Sequence, residues 1–169
     1  MIERAFDRVM GLVVVGLGLV LIAAIGLNFV NVVGRYAFGR SIFGADEVQT
    51  YAMVWIAFVG AVVVTWRDAH LRMDVLVTRL PRRVRAVLRA IELALMVATA
   101  GVVFTQSWKY VEQMAAMGRR SDAASIPMAI PHSAVALGFG LIALIALWRL
   151  ARLARPAAAP ATDPAEPRQ

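Results

Sequence analysis

The sequence predicts an all-α integral membrane protein with four transmembrane helices. Both termini are expected in the cytoplasm (N-in/C-in), with a short amphipathic interfacial helix between helices two and three. Three observations carry this reading. Hydrophobic residues make up 60% of the 169 residues, only 17% are charged, and mean hydropathy is +0.69. A soluble domain this small cannot bury so much apolar surface in one core. The apolar residues fall into four long runs almost free of charge, and the basic residues concentrate in alternate gaps between them.

The first run, residues 9–33, holds 25 residues without a charge. At about 1.5 Å per residue it reaches roughly 37 Å, enough to cross a hydrocarbon layer of about 30 Å. Arg4 and Arg8 resemble the start of a signal peptide. The run is far longer than a signal h-region, however, and no small-x-small cleavage site follows it, so a retained anchor is expected. The second run, 48–66, begins just after Asp46 and Glu47, whose carboxylates suit the positive end of a helix dipole, and carries Tyr51 and Trp66 near its ends.

The third run, 90–108, has Glu92 as its only charge, close enough to the end to meet headgroups or a neighbouring arginine. Before it, Val84, Val87, Leu88 and Ile91 recur at helical spacing with arginines on the other face, the pattern of a helix at headgroup level that turns into helix three. The uncharged stretch 123–148 contains Pro127 and Pro131. Because proline is tolerated only in a first helical turn, the fourth span is placed at 131–148, with 123–130 as a loop or interfacial segment. These spans make residues 1–155 one membrane domain. The last 14 residues, from Pro156, hold four prolines and no apolar pattern and are expected to be a disordered cytoplasmic tail.

Lysine and arginine fix the expected orientation. The N-terminus, the gap between helices two and three and the C-terminal tail together carry thirteen of the 18; the other two gaps carry five. The positive-inside rule puts the thirteen in the cytoplasm. The net charge of +7 is therefore a topology signal rather than a nucleic-acid stripe, and anionic lipid headgroups are the expected partner of the basic gap. The absence of cysteine excludes disulfides and thiolate sites.

No enzyme pattern emerges, and neither a cofactor nor a metal site is expected. His70 and Asp74 stand at i, i+4 outside helix two, but a metal needs three or four ligands, and an ion pair or partner contact is the simpler reading. His132 reads as an interfacial residue at a helix start. Asn28, Asn31 and Arg35 share one face of helix one, suited either to hydrogen bonds inside the bundle or to another membrane subunit. The central parts of all four spans contain no Asp, Glu, Lys, Arg or His. A carrier that couples solute to ions usually places such a group near the midplane. A stand-alone carrier or channel is thus the alternative, and a helper subunit the primary reading.

The order of several short islands is similar to a known family. Asn31-Val32-Val33-Gly34-Arg35-Tyr36-x-Phe38 leads through Ser41-Ile42-Phe43 to Asp46-Glu47, then to Trp55-x-x-Phe58-x-Gly60-Ala61. His70-Leu71-Arg72-Met73-Asp74, Leu80-Pro81, and Ser121 followed by Ile126-Pro127-Met128 complete the series. Together they resemble the small permease subunit of tripartite ATP-independent periplasmic (TRAP) transporters. Gly44-Ala45 stands where the family often has an aromatic residue before the acidic pair, and His132 and Ala136 where it tends to have a tyrosine and a second proline. The resemblance implies a bacterial inner-membrane subunit, non-catalytic, in a sodium-coupled transporter of organic acids. Its implied partners are a large permease subunit, which it braces, and a periplasmic substrate-binding protein, which it helps to dock. Asn31, Arg35, Tyr36, Arg40, Asp46, Glu47 and Trp55, with His70 and Asp74 on the cytoplasmic side, are the implied contact residues.

Overall fold

The computed structural model describes residues 2–67 and 80–154. Four helices follow in order: α1 (Ile2–Phe38), α2 (Ala45–Trp66), α3 (Arg82–Ala116) and α4 (Ala129–Ala154). Each is long and apolar enough to cross a membrane. The main helix contacts run α1 to α2, α2 to α4 and α4 to α3, which leaves α1 on one flank and α3 on the other.

The helices outrun the uncharged stretches. α1 spans 37 residues and α3 spans 35, roughly 50 Å and more at 1.5 Å per residue, well beyond a hydrocarbon layer of about 30 Å. Charge marks where the hydrocarbon ends, whereas the backbone ladder continues into the headgroup zone, with arginines snorkelling outward. The amphipathic stretch Arg82–Arg89 is accordingly no separate element: it forms the first two turns of α3, continuous with the span. α4 begins at Ala129, so Pro131 sits in its first turn, where its missing N–H would have no helical partner anyway.

Packing between helices relies on small residues, as expected where lipid removes the hydrophobic drive for association. Ala134, Ala136 and Ala146 of α4 are at most 1% exposed. A Cβ on Gly138 would lie 2.9 Å from the Phe58 side chain, and one on Gly140 would lie 2.9 Å from the Phe104 ring. α4 is thus the central helix because its small residues admit aromatic side chains of α2 and α3. By contrast Leu12, Leu19, Ile22 and Phe29 of α1 are each more than 60% exposed, an apolar flank that suits acyl chains or another membrane subunit.

His70, Asp74 and the tail from Pro156 lie outside the described residues.

Candidate functional site

The loop end of the bundle gathers most of the polar residues singled out above. Successive turns of α1 carry Asn28, Asn31 and Arg35, and all three face the start of α2. Asn28 donates to Gln49 (2.8 Å), Asn31 donates to Asp46 (3.3 Å), and Arg35 meets the other oxygen of Asp46 at 3.5 Å. Asn31 is only 3% exposed, and its carbonyl oxygen accepts the backbone N–H of Ile42 at 2.8 Å. It satisfies a chain reversal from inside, which makes it a structural anchor of the α1–α2 turn. The Arg35–Asp46 pair stays more than half exposed. Such pairs contribute about 0–1 kcal/mol, so its effect is to aim two charges outward rather than to hold the fold.

Glu47 does something different. Its two carboxylate oxygens accept the backbone N–H groups of Ala123 (3.1 Å) and Ala124 (2.7 Å), in the loop between α3 and α4. The loop is itself ordered by reciprocal bonds: Ser121 N–H to the Ile126 carbonyl (2.9 Å), Ile126 N–H to Ser121 Oγ (3.1 Å) and Met128 N–H to the Arg119 carbonyl (2.9 Å). Tyr51 adds a contact to Met128 Sδ at 3.5 Å. One carboxylate therefore clasps the α1–α2 turn to the α3–α4 loop, and the two form a single surface.

Gly44 permits this closure. Its φ of 79° lies in the left-handed region, and a Cβ there would come within 3.0 Å of Ala124 Cα. The neighbouring Ala45 is 4% exposed. A larger residue at either position would push the loop off Glu47.

Other expected contact residues take no part in the Glu47 clasp. Tyr36 is 83% exposed at the end of α1, and Arg40 enters the turn through its backbone N–H, bonded to the Gly34 carbonyl at 3.0 Å. Trp55 is half-buried, two turns along α2 from Glu47 and away from the clasp.

The opposite end is held by aromatic stacking. Trp66 stacks on Phe6 (5.0 Å between centroids) and on Trp148 (5.6 Å), and its indole N–H donates to Asp7 at 2.9 Å. Arg149 donates to the Trp66 carbonyl, Arg152 lies 4.8 Å over the Trp148 ring, and Arg89 pairs with Glu92 at 3.0 Å. Three of the four helices thus meet around one indole.

The family model described as "Tripartite ATP-independent periplasmic transporters, DctQ component" matches residues 24–156, which include the Asn31–Glu47 turn, the clasped loop and three complete helices. The chain belongs to this family. Among relatives, a Haemophilus influenzae protein whose name assigns it to the TRAP small permeases is 35% identical over 48% of this chain and 51% of its own length. The C4-dicarboxylate TRAP transporter small permease protein of Vibrio cholerae is 32% identical over 50% of this chain and 36% of its own. The ectoine TRAP transporter small permease protein of Halomonas elongata is 31% identical over 75% and 65%. The aligned stretches thus span less than two thirds of each of these relatives. As a TRAP small permease component, the chain is a transport protein of the bacterial inner membrane and not an enzyme.

The two places where the sequence departs from the pattern it resembles are both closely packed. Gly44 lies where the α3–α4 loop approaches the start of α2, so that a Cβ there would be 3.0 Å from Ala124 Cα. His132 sits in the first turn of α4 and packs edge-on against Tyr110 of α3 (centroids 4.7 Å apart), while Ala136 is fully buried in the same helix. The receiving half of the clasp left no trace in the residue types, because the groups that bind Glu47 are main-chain amides of two alanines. The cue available was indirect: a Ser-x4-Ile-Pro segment beside a carboxylate pair.

Proposed function

We propose that this chain is the non-catalytic small membrane subunit of a sodium-coupled TRAP transporter for organic acids. It braces the large permease subunit and helps to dock the periplasmic substrate-binding protein. The observation that carries this reading is the Glu47 clasp, which joins the α1–α2 turn and the α3–α4 loop, residues 76 and 77 positions apart in sequence, into one ledge. With the orientation set by the arginines, that ledge faces the periplasm and presents Arg35, Asp46 and the exposed Tyr36 outward.

Two further points support it. The middle of the four spans carries no ionisable group with which to couple solute to sodium. Two relatives are named for unlike solutes, C4-dicarboxylate and ectoine, so solute choice fits a partner better than this component. The exposed flank of α1 offers the surface on which the large subunit rests.

The test is uptake of organic acids into proteoliposomes holding the large permease subunit, its binding protein and an inward sodium gradient. Uptake is expected to require this chain, and Glu47→Ala to lower it several-fold with the membrane complex still co-purifying. Wild-type uptake by Glu47→Ala and Arg35→Ala alike would remove the docking role. Solute flux through vesicles containing this chain alone would remove the bracing role.

A further inference from the structure

The turn between α1 and α2 is apolar where connecting turns are ordinarily polar. Arg40 carries its single charge, and Phe38, Ile42 and Phe43 stand in it or beside it. Phe38 and Phe43 are each three-quarters or more exposed, and Ile42 is about half exposed. Among the described residues neither phenyl ring meets another aromatic ring. The α3–α4 loop at the same end is of another kind, with Arg119, Arg120 and Asp122 close together. A cluster of exposed apolar side chains marks a surface that something covers.

Depth and backbone pairing together select the cover. The uncharged run of α1 ends at Val33 and that of α2 starts at Val48. Phe38 thus lies about 7.5 Å beyond the hydrocarbon along its helix, roughly the thickness of one headgroup layer, and Phe43 is as many residues from Val48. The main chain of the turn is bonded within the protein. Arg40 N–H donates to the Gly34 carbonyl (3.0 Å), Ile42 N–H to Asn31 Oδ1 (2.8 Å) and Ala45 N–H to the Ile42 carbonyl (3.3 Å). A non-helical segment can leave water only when its main-chain groups are paired in this way. The loop with three charges suits solution. The turn suits the boundary between headgroup and acyl chain, where exposed phenyl rings find apolar surroundings.

We propose that the α1–α2 turn is a lipid anchor, with Phe38 and Phe43 inserted into the headgroup–acyl boundary of the leaflet at the clasped end. The Arg35–Asp46 pair and the α3–α4 loop stay on the solution side. Asn31 ties the turn to α1, and Glu47 ties the start of α2 to the α3–α4 loop, so the anchored rings set the height of the ledge over the bilayer. The proposal concerns where the turn lies, not what the ledge receives, and stands apart from the transport reading.

The experiment is spin labelling of the full chain, in complex with a cysteine-free large subunit, in phosphatidylglycerol–phosphatidylcholine vesicles. The chain has no cysteine, so Ile42→Cys carries one nitroxide between the two intact phenyl rings. Ser125→Cys, exposed in the α3–α4 loop, serves as the aqueous reference. Collisions with lipid-soluble oxygen and with a water-soluble nickel chelate report the surroundings of each label. The ratio of oxygen to nickel collisions is expected to be several-fold higher at Ile42→Cys than at Ser125→Cys. Adding Phe38→Ser and Phe43→Ser should bring it down toward the reference. A ratio at Ile42→Cys equal to the reference would put the turn in water and overturn the proposal. Low collision with both reagents would mark a turn covered by protein, and a ratio unmoved by the two serines would mean that the rings do not anchor it; either result also overturns the proposal.

Discussion

Asn31 shows how one side chain carries a turn. It is buried, accepts the Ile42 N–H and donates to Asp46. Replacing it with leucine keeps the volume and removes both bonds, leaving a main-chain donor unsatisfied at a cost of about 1–3 kcal/mol. Asn31→Leu is expected to lower the unfolding free energy in mixed detergent micelles by that amount, seen as a lower unfolding midpoint. An unchanged midpoint would mean that the turn is held by other contacts. Arg35→Ala, which removes only an exposed ion pair, should leave the same midpoint nearly untouched.

At the scale of elements, α4 owes its central place to positions where nothing larger fits. Gly140→Leu would drive a side chain into the Phe104 ring, already 2.9 Å from the position of a Cβ. Overpacking of this kind costs about 1–3 kcal/mol. The variant should separate α3 from α4 and slow hydrogen exchange protection should be lost along both. Retained protection would show that Phe104 swings aside. The four helices were legible in the sequence because charge-free runs of membrane length have few other uses. The shared face of Asn28, Asn31 and Arg35 was legible from spacing alone. Helix ends were not, since a helix continues past the last apolar residue into headgroups, as Arg82–Arg89 does. Nor was the Glu47 contact, which joins a carboxylate to main-chain amides that every residue but proline possesses.

For the whole molecule, the open prediction is its direction in the membrane. The arginine count places the clasped ledge outside and the tryptophan-stacked end inside. The chain has no cysteine, so a single cysteine introduced at Ser125, and another at Ala158, report without background. An impermeant maleimide added to intact spheroplasts should label Ser125→Cys and spare Ala158→Cys until the membrane is broken. The reverse pattern would invert the topology and move the docking ledge to the wrong compartment.

The separation in sequence between Glu47 and its partners also has a consequence for how the protein is made. Ribosomes add about 5–20 residues per second, so the 76 residues between Glu47 and Ala123 take about 4–15 s to appear. Until Ala123 and Ala124 have been made, the Glu47 carboxylate lacks both of the amides that bind it. The bonds that Asn31 makes to Ile42 and Asp46 are local and need no later residue. They allow the newborn hairpin to hold its shape alone, and the last helix, on insertion, finds a finished partner to close upon.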